Sequence, residues 1–468
     1  MTNAFRDFRD NCMTHRLTRF ALATALVALP ATAFAQSMDP AALRDAALKD
    51  DLAFEITEGL TTEVGPRLAG TEAEARARAW SLKKLTALGF KNVRNEPFEM
   101  TTWVRGVETL EVLAPFPQPL HLTALGNSGA TVAKGLEAEI VYFPDLAALN
   151  AAPDGSLKGR IAFVSHAMTR TQDGSQYGAF GAARRSGPTV AARKGAAAIL
   201  IRSIGTDYHR NPHTGVTNFA EGVTPIPAAA LSLPDAEQLE RILKRGQPVK
   251  VKLTLTPRQI GTTESGNIIA EVPGSDPAAG MVVVACHLDS WDLGTGAFDD
   301  ATGCGIVAAA AKRIMDAGTP RRTIRILWAG AEEVGVFGGK AYFDAHKEEN
   351  HALAAESDFG ADRVWRVDFK LPESAKPVGD RVAAALAPLG ISRGRERASG
   401  GADVSALIAS GVAGIDLQQD GNRYFDLHHT PDDTLDKVDP AQLRQNVAAW
   451  IAMLAVVANA PEEIGPVK

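Results

Sequence analysis

Residues 281–303, MVVVACHLDSWDLGTGAFDDATG, begin as an apolar run and change abruptly into a loop of acidic and imidazole side chains. The run 281–286 has the length and valine content of a strand that is buried on both faces of a sheet. Open α/β sheets bind their ligands at the carboxyl ends of such strands. This stretch therefore predicts a parallel sheet with a ligand site at the end of one strand. Its polar residues are His287, Asp289, Asp292, Asp299 and Asp300.

The sequence after this stretch predicts the α/β class. From residue 267 onward strand and helix patterns alternate, which is typical of a mostly parallel central sheet flanked by helices. Predicted strands cover residues 268–272, 282–286, 323–329, 353–356 and 412–418. Predicted helices cover about residues 300–316, 338–348, 378–389, 402–410 and 440–458.

The predicted secondary-structure pattern changes between residues 131 and 256, where short strands alternate with alanine-rich helices. This segment offers no set of convergent catalytic groups, and we interpret His209 and His213 as ordinary loop residues. We therefore predict that residues 131–256 form an inserted domain. Residues 36–130 and 257–468 would then be the two parts of one catalytic domain.

The N-terminus has the pattern of a secretory signal peptide. Arg16 and Arg19 precede the apolar segment 20–29, and Ala33-Phe34-Ala35 has the small residues of a cleavage site. The apolar segment is much shorter than the ~20 residues that a membrane-spanning helix needs, and no later stretch is long and apolar enough. We predict cleavage after Ala35 and an exported protein, either periplasmic or secreted.

Charge and cysteine content bear on the partners of the protein and on its disulfides. The chain has a formal net charge of −6 and no dominant basic face, so we expect no nucleic-acid partner. Of its three cysteines, Cys12 lies in the predicted signal peptide. We interpret Cys286 and Cys304 as buried thiols, with a disulfide as the alternative that an oxidising compartment allows.

Two clusters of candidate metal ligands lie in the stretch 281–303 itself. Alternation along an extended chain puts His287 and Asp289 on the same side. Asp289 can therefore accept a hydrogen bond from the ring nitrogen of His287 that faces away from a metal. Asp299, next to Asp300 at the start of a predicted helix, could bridge two cations with its two carboxylate oxygens.

Further clusters follow other predicted strands. Glu332 and Glu333 come directly after strand 323–329, so one can ligate a metal while the other faces an attacking water. Asp358 follows the next strand, and His429 lies near the C-terminus. These residues offer His287 and Asp358 for one ion and Glu333 and His429 for a second, with Asp299 between them. Such a donor set suits two zinc ions. Co²⁺ or Mn²⁺ is compatible with the same ligand types.

Taken together, five motifs resemble those of a known family. They are HLDSWD (287–292), GAFDD (296–300), AEE (331–333), ESD (356–358) and HHTPDDT (428–434). In this order they are similar to the motifs of the two-zinc exopeptidases that include bacterial leucyl aminopeptidases and glutamate carboxypeptidases. The forms HLDSWD and LHHT look most like the plasma glutamate carboxypeptidase, or carboxypeptidase Q, branch. The resemblance implies the zinc exopeptidase fold, with segment 131–256 as a protease-associated domain.

The resemblance also implies a role for each motif residue. It implies the same five ligands as above. His429 rather than His428 is the implied ligand, because His429 is the histidine of the family pattern H-T-x-x-D-T, which Thr430, Asp433 and Thr434 match. It implies Asp289 as the residue that orients His287, and Glu332 as the general base. We further expect substrate contacts from His428, Asp403 and Tyr424. A homodimer is also implied.

The function that follows is hydrolysis of a terminal peptide bond in a short peptide or dipeptide, by a water that two zinc ions activate. An aminopeptidase or dipeptidase is favoured, because the acidic site fits a free α-amine. A carboxypeptidase would need a cation for the substrate carboxylate, which Arg393, Arg395, Arg397 or Arg423 could supply. A zinc amidase acting on a non-peptide amide and a non-catalytic binding protein on the same scaffold are the remaining alternatives.

Overall fold

A computed structural model describes residues 38–467, and the predicted signal peptide at residues 1–35 lies outside that range. The described strands are β1 (Lys91–Val104), β2 (Glu108–Ala114), β3 (Gln118–Leu120), β4 (Leu122–Ala124), β5 (Leu136–Phe143), β6 (Ile161–Val164), β7 (Ala198–Arg202), β8 (Ala228–Leu231), β9 (Lys250–Leu255), β10 (Arg258–Val272), β11 (Met281–His287), β12 (Ile324–Ala329), β13 (His351–Glu356), β14 (Val364–Lys370), β15 (Ser392–Arg393) and β16 (Ala413–Gln419).

The described α-helices are α1 (Pro40–Ala47), α2 (Leu52–Gly59), α3 (Glu72–Ala87), α4 (Leu146–Ala151), α5 (Ser175–Phe180), α6 (Ala182–Arg185), α7 (Gly187–Arg193), α8 (Leu233–Leu243), α9 (Thr302–Ala317), α10 (Phe337–His346), α11 (Lys376–Leu386), α12 (Ser405–Ala409), α13 (Tyr424–Leu427) and α14 (Pro440–Val457). Within residues 38–467, no helix is both long and apolar enough to cross a membrane.

The first sheet has eight strands in the order β1-β10-β12-β11-β13-β16-β14-β15. Its central strands β12, β11, β13 and β16 are parallel, whereas β1, β10 and β14 pair in antiparallel fashion nearer the edges. This arrangement confirms the predicted α/β class with a mostly parallel centre. The sequence analysis did not predict β14, whose sequence VWRVDFK mixes apolar and charged residues beside the sheet edge.

Helices cover both faces of this sheet, as the double burial of its central strands requires. Val282 and Val284 of β11 face a core that includes α9 and α14. The alternate residue Val283 faces the opposite core, to which α10 contributes Tyr342 and α12 contributes Leu407. Helix α14 is buried along most of its length, which explains its apolar composition.

A second eight-stranded sheet, in the order β3-β2-β9-β5-β6-β7-β8-β4, is formed entirely by residues between Glu108 and Leu255. Its first strands therefore precede residue 131, where the sequence predicts the start of an inserted domain. Both sheets belong to one compact unit. The boundaries of the insert and its identity as a protease-associated domain remain predictions.

Candidate metal centre

Register in the first sheet brings the predicted ligands to one edge. His287, the last residue of β11, pairs with Ala329, the last residue of β12. On the other side of β11, Ala285 pairs with Glu356 at the end of β13. Since all three strands run in parallel, the loops that carry Glu332, Glu333 and Asp358 begin beside His287.

The carboxylate of Asp299 lies between the two predicted metal positions. Its Oδ1 is 3.0 Å from His287 Nε2, and its Oδ2 is 3.3 Å from His429 Nε2. Asp358 Oδ1 is 3.3 Å from His287 Nε2 on one side. Glu333 Oε2 is 2.9 Å from His429 Nε2 on the other. The five predicted ligands thus lie in two groups that share Asp299.

The electrostatics of the two histidines indicate a site that attracts cations. Burial opposes protonation of His287, but Asp358 and Asp299 outweigh it and raise its pKa well above the usual range. Burial likewise opposes protonation of His429, and Glu333 outweighs it with the same result. Imidazoles held among carboxylates in this way bind a proton when no metal is present, and a metal takes the place of that proton.

Unpartnered oxygens also fit a metal in this position. Among the described residues, the buried oxygen Glu333 Oε1 has no hydrogen-bond partner. The buried oxygens Asp299 Oδ2 and Asp358 Oδ1 lie 3.3 Å from the histidine nitrogens but without hydrogen-bond geometry. A buried carboxylate oxygen without a partner is costly unless a cation or a donor compensates it. Ligand atoms of His287, Asp299 and Asp358 lie within 4.8 Å of one another. The donor set of imidazole nitrogens and carboxylate oxygens is one that zinc accepts.

Asp289 differs from its expected contact. The sequence analysis expected its carboxylate to accept from His287 Nδ1, but Asp289 Oδ1 is 3.8 Å from that nitrogen. The backbone carbonyl of Asp289 accepts instead, at 3.0 Å. The carboxylate accepts from the backbone N–H groups of Glu332 (3.0 Å) and Glu333 (3.3 Å), which turns it away from the ring. Asp289 therefore positions the loop that carries both glutamates.

Glu332 lies in an environment that makes its carboxyl group basic. Burial raises its pKa well above the usual range, against the opposing effect of His287, and the acidic groups of Asp358 and Asp403 raise it further. Neighbouring Glu333 has its pKa raised to about 7, mainly by burial and then by Asp299. Both side chains thus lie among other acidic groups.

The structure corrects the interpretation of the two cysteines. Cys286 and Cys304 form a disulfide, whereas the sequence analysis favoured two buried thiols. Cys286 lies in β11 and Cys304 in α9, the helix that packs on that strand, and their Cα atoms are 5.2 Å apart. This separation is within the usual range for a disulfide, and sequence spacing alone did not show it. The bridge therefore joins the strand that ends in His287 to the helix after Asp299.

The three expected substrate contacts have different surroundings. His428 is 2% exposed, and within the described chain neither of its ring nitrogens has a hydrogen-bond partner. Its ring stacks on Tyr424 with the centroids 4.7 Å apart, and it lies 4.1 Å from the ring of His429. Asp403 is also buried, and its Oδ1 accepts from Gly339 N at 3.0 Å.

Two of the four arginines considered as anchors for a substrate carboxylate have other partners. Arg423 forms an ion pair with Asp362. Arg393, which is largely exposed, forms an ion pair with Asp380. Neither arginine is among the contacts of the predicted ligands.

Two buried arginines, Arg67 and Arg184, and the partly buried Arg105 lie near the site and were not predicted. Arg67 donates to the backbone carbonyls of Leu288, Thr295 and Gly296, the loop that leads to Asp299. Arg105 binds Asp292 of the same loop. Arg184 of α6 approaches His429, with its Nη1 3.3 Å from His429 Nδ1. Their partners are distant in sequence, and no local pattern distinguishes these arginines from surface residues.

Comparison with known proteins gives a consistent result. Residues 267–454, which contain all five predicted ligands, match the model of peptidase family M28. Carboxypeptidase Q from Bos taurus is 34% identical over 407 residues, which make up 86% of this chain and 84% of that protein. Aminopeptidase YwaD from Bacillus subtilis is 25% identical over 368 residues, 74% of this chain and 70% of that protein.

Solved structures show the same fold. A peptidase M28 precursor from Shewanella amazonensis is 48% identical with a TM-score of 0.89, and the match covers 92% of this chain and 98% of that one. An aminopeptidase from Aneurinibacillus sp. strain AM-1 has a TM-score of 0.61 at 21% identity, with 92% of this chain and 98% of that one covered.

Proposed function

The chain belongs to peptidase family M28 and is a metallo-exopeptidase, and on this premise we propose that it uses two zinc ions to hydrolyse terminal peptide bonds of short peptides or dipeptides. The observation that carries the proposal is the position of Asp299, whose two oxygens face two different histidines. His287 and Asp358 would hold one ion, and Glu333 and His429 the other. Co²⁺ or Mn²⁺ is compatible with the same ligands.

The chain's own residues would perform the proton transfers. Bound zinc would supply Lewis acidity for the scissile carbonyl and would lower the pKa of a water toward about 7. Glu332 would accept a proton from the attacking water and deliver it to the leaving amine. Asp289 would hold the backbone of Glu332 in place for both transfers. His428 and Tyr424 remain the proposed contacts to the substrate.

The acidic character of the site supports an aminopeptidase or dipeptidase. Besides the ligands, Glu356 and Asp403 are buried at the same edge, and each has one oxygen without a hydrogen-bond partner among the described residues. A free α-amine carries a positive charge and is attracted to such a site. The carboxypeptidase alternative needs a cation for the substrate carboxylate. Of the four arginines considered, Arg393 and Arg423 already pair with aspartates, which leaves Arg395 and Arg397 for that role.

The proposal extends to location and assembly. We infer that residues 1–35 direct export to the periplasm or the medium, on the basis of their sequence pattern alone. A homodimer and a protease-associated identity for the second sheet are inferred from the resemblance of the motifs.

Blocking one end of a dipeptide tests the specificity. We expect the zinc-loaded protein to hydrolyse a free dipeptide and not its N-acetylated form. Hydrolysis of the C-amidated form would then indicate an aminopeptidase, and its resistance a dipeptidase. The opposite pattern, with the N-acetylated peptide cleaved and the amide resistant, would contradict the proposal in favour of a carboxypeptidase. The metal content per chain is measured in the same samples. Turnover that appears only when two equivalents of metal are bound would exclude a non-catalytic binding protein.

A further inference from the structure

The two candidate ligand histidines are held in different ways. His287 Nδ1 lies 3.0 Å from the carbonyl of Asp289, two residues along the same chain segment. His429 Nδ1 instead lies 3.3 Å from the carbonyl oxygen of Thr214, which follows β7 of the second sheet. The nitrogen that a ligand histidine turns away from its metal usually donates to such an acceptor, which fixes the tautomer and the ring orientation. For His429 that acceptor comes from the loop between β7 and β8.

A second hydrogen bond joins the same two residues. The backbone N–H of Thr214 donates to the carbonyl of His429 at 3.0 Å. His429 has a φ of 62°, in the left-handed region that residues other than glycine rarely adopt. Surrounding contacts must hold a residue in that conformation. Thr214 therefore restrains both the backbone and the ring of His429.

Arg184 holds the Thr214 carbonyl from the other side. This arginine is 4% exposed; its Nη1 donates to Thr214 O at 3.1 Å, and its Nη2 donates to the Tyr177 hydroxyl at 2.6 Å. Nη1 is also 3.3 Å from His429 Nδ1. When Nδ1 carries its hydrogen, both nitrogens are donors and Thr214 O is the acceptor that they share. Next to Thr214, Gly215 has a φ of 132°, and a Cβ there would overlap the guanidinium.

Arg105 fixes Thr214 to the first sheet. Its Nη2 donates to Thr214 Oγ1 at 3.1 Å, while its Nε and Nη2 bind the carboxylate of Asp292. Thr214 Oγ1 in turn donates to the carbonyl of Ala124 at 2.9 Å. Thr214 is thus held independently of His429, as a positioning residue must be.

We propose that Arg184, acting through the carbonyl of Thr214, positions His429 for the second metal, so that helix α6 and the loop between β7 and β8 are structural parts of the metal centre. The proposal rests on the two-zinc function proposed above. It assigns to Arg184 a positioning role: it contacts neither metal nor substrate, and it sets the direction of His429 Nε2 toward Glu333 and Asp299.

Metal titration tests this role directly. Zn²⁺ and Co²⁺ are titrated into metal-free full-length protein against a chromophoric chelator, with the visible absorption of Co²⁺ as a second readout. For Arg184→Gln we expect one equivalent to bind as in the wild type and the other about 10–100-fold more weakly, the usual effect of removing such a support. Two equivalents bound with wild-type affinity would overturn the proposal.

Arg202→Gln is the matched control. Arg202 is also a buried arginine, at the end of β7 in the second sheet, but it pairs with Glu237 and is not among the contacts of His429. We expect this variant to lose thermal stability and still bind both equivalents normally. If Arg202→Gln weakened the same equivalent as strongly, the effect would be general destabilisation and the proposal would fail.

Two milder variants keep the test decisive if Arg184→Gln does not fold. Arg184→Lys retains the charge and should recover part of the affinity, and Tyr177→Phe, which frees only Nη2, should weaken one equivalent a few-fold. Wild-type affinity in both would overturn the proposal.

In a His429→Ala background, Arg184→Gln should no longer change the affinity for the remaining metal equivalent. A wild-type protein that binds no metal would instead refute the two-zinc function itself.

Discussion

The carboxylate of Asp289 accepts a hydrogen bond from the backbone N–H of Glu332 over 3.0 Å. Two loops that are distant in sequence are thereby fixed to each other at the carboxyl edge of the first sheet. The proposed general base thus has its position set by a fully buried acid, which lies at the end of the neighbouring strand. This relationship leads to the first prediction.

Asp289→Asn should reduce kcat by about 10–100-fold, because an amide cannot accept from both N–H groups of the glutamate loop. KM should change much less than kcat. The measurement is steady-state hydrolysis of a free dipeptide with metal content determined in parallel. Asp344→Asn, the same change at an exposed residue, serves as the control. An Asp289→Asn variant with wild-type kcat would show that this contact does not position the base.

Glu332→Gln should keep both metals and lose about 10²–10⁴-fold in kcat, because it removes the proton acceptor and no ligand. Glu333→Gln, the identical change at the next residue, should instead weaken one metal equivalent, because Glu333 faces His429. Inductively coupled plasma mass spectrometry and turnover on the same samples distinguish the two. If both variants lost metal equally, the different roles assigned to the two residues would be wrong.

The apparent zinc affinity should fall as the pH is lowered from about 8 to 6. In the metal-free protein, carboxylates that outweigh burial raise the pKa values of His287 and His429, and the pKa of Glu333 is raised to about 7. Zinc must displace these protons, so protons compete more strongly at low pH. Chelator competition at several pH values measures the slope, and calorimetry in buffers of different ionisation enthalpy counts the protons released. An affinity that is constant over this range would contradict the prediction.

Glu74, which is not one of the predicted metal ligands, should make the free energy of unfolding depend on pH. Burial raises its pKa from 4.5 to about 7. The pKa of Glu74 is higher in the folded state than in the unfolded state. The protonated carboxyl group of Glu74 therefore contributes its full stabilisation below pH 4.5, and this contribution is lost as the pH rises through 7. Relative to Glu74→Gln, the free energy of unfolding of the wild type should fall by about 3 kcal/mol across that interval.

Urea denaturation of both proteins at each pH measures this difference. Glu72→Gln, at an exposed residue of the same first helical turn, is the control and should parallel the wild type. A difference between the wild type and Glu74→Gln that does not vary with pH would show that the buried carboxyl group does not titrate in this interval.

Cys304→Ser should lower the free energy of unfolding by about 3 kcal/mol, because the disulfide constrains the unfolded chain over a separation of 18 residues. Alkylation of the denatured, unreduced wild type followed by mass spectrometry should find Cys286 and Cys304 unmodified. Modification of both would mean that the bridge is absent. Urea denaturation of oxidised and reduced wild type provides the matched comparison.

Local sequence patterns predicted the fold class and the ligand types for a physical reason. Strand and helix periodicities are local, and parallel strands place the residues that follow them at one edge of a sheet. His287, Glu333 and Asp358 each follow a buried strand, so their proximity could be expected before the structure was known. The role of each residue in catalysis remains a prediction that the experiments above test.

Contacts between distant segments could not be predicted in this way. The carbonyl that His429 Nδ1 contacts belongs to Thr214, which is 215 residues away in the chain, and Arg184 is 245 residues away. The disulfide and the turn of the Asp289 carboxylate toward the glutamate loop likewise depend on how elements pack. The sequence alone thus determined which side chains gather at the sheet edge, because that follows from the direction of each strand. Only the tertiary structure decided how they are held, because a hydrogen-bond partner from another segment has no local periodicity.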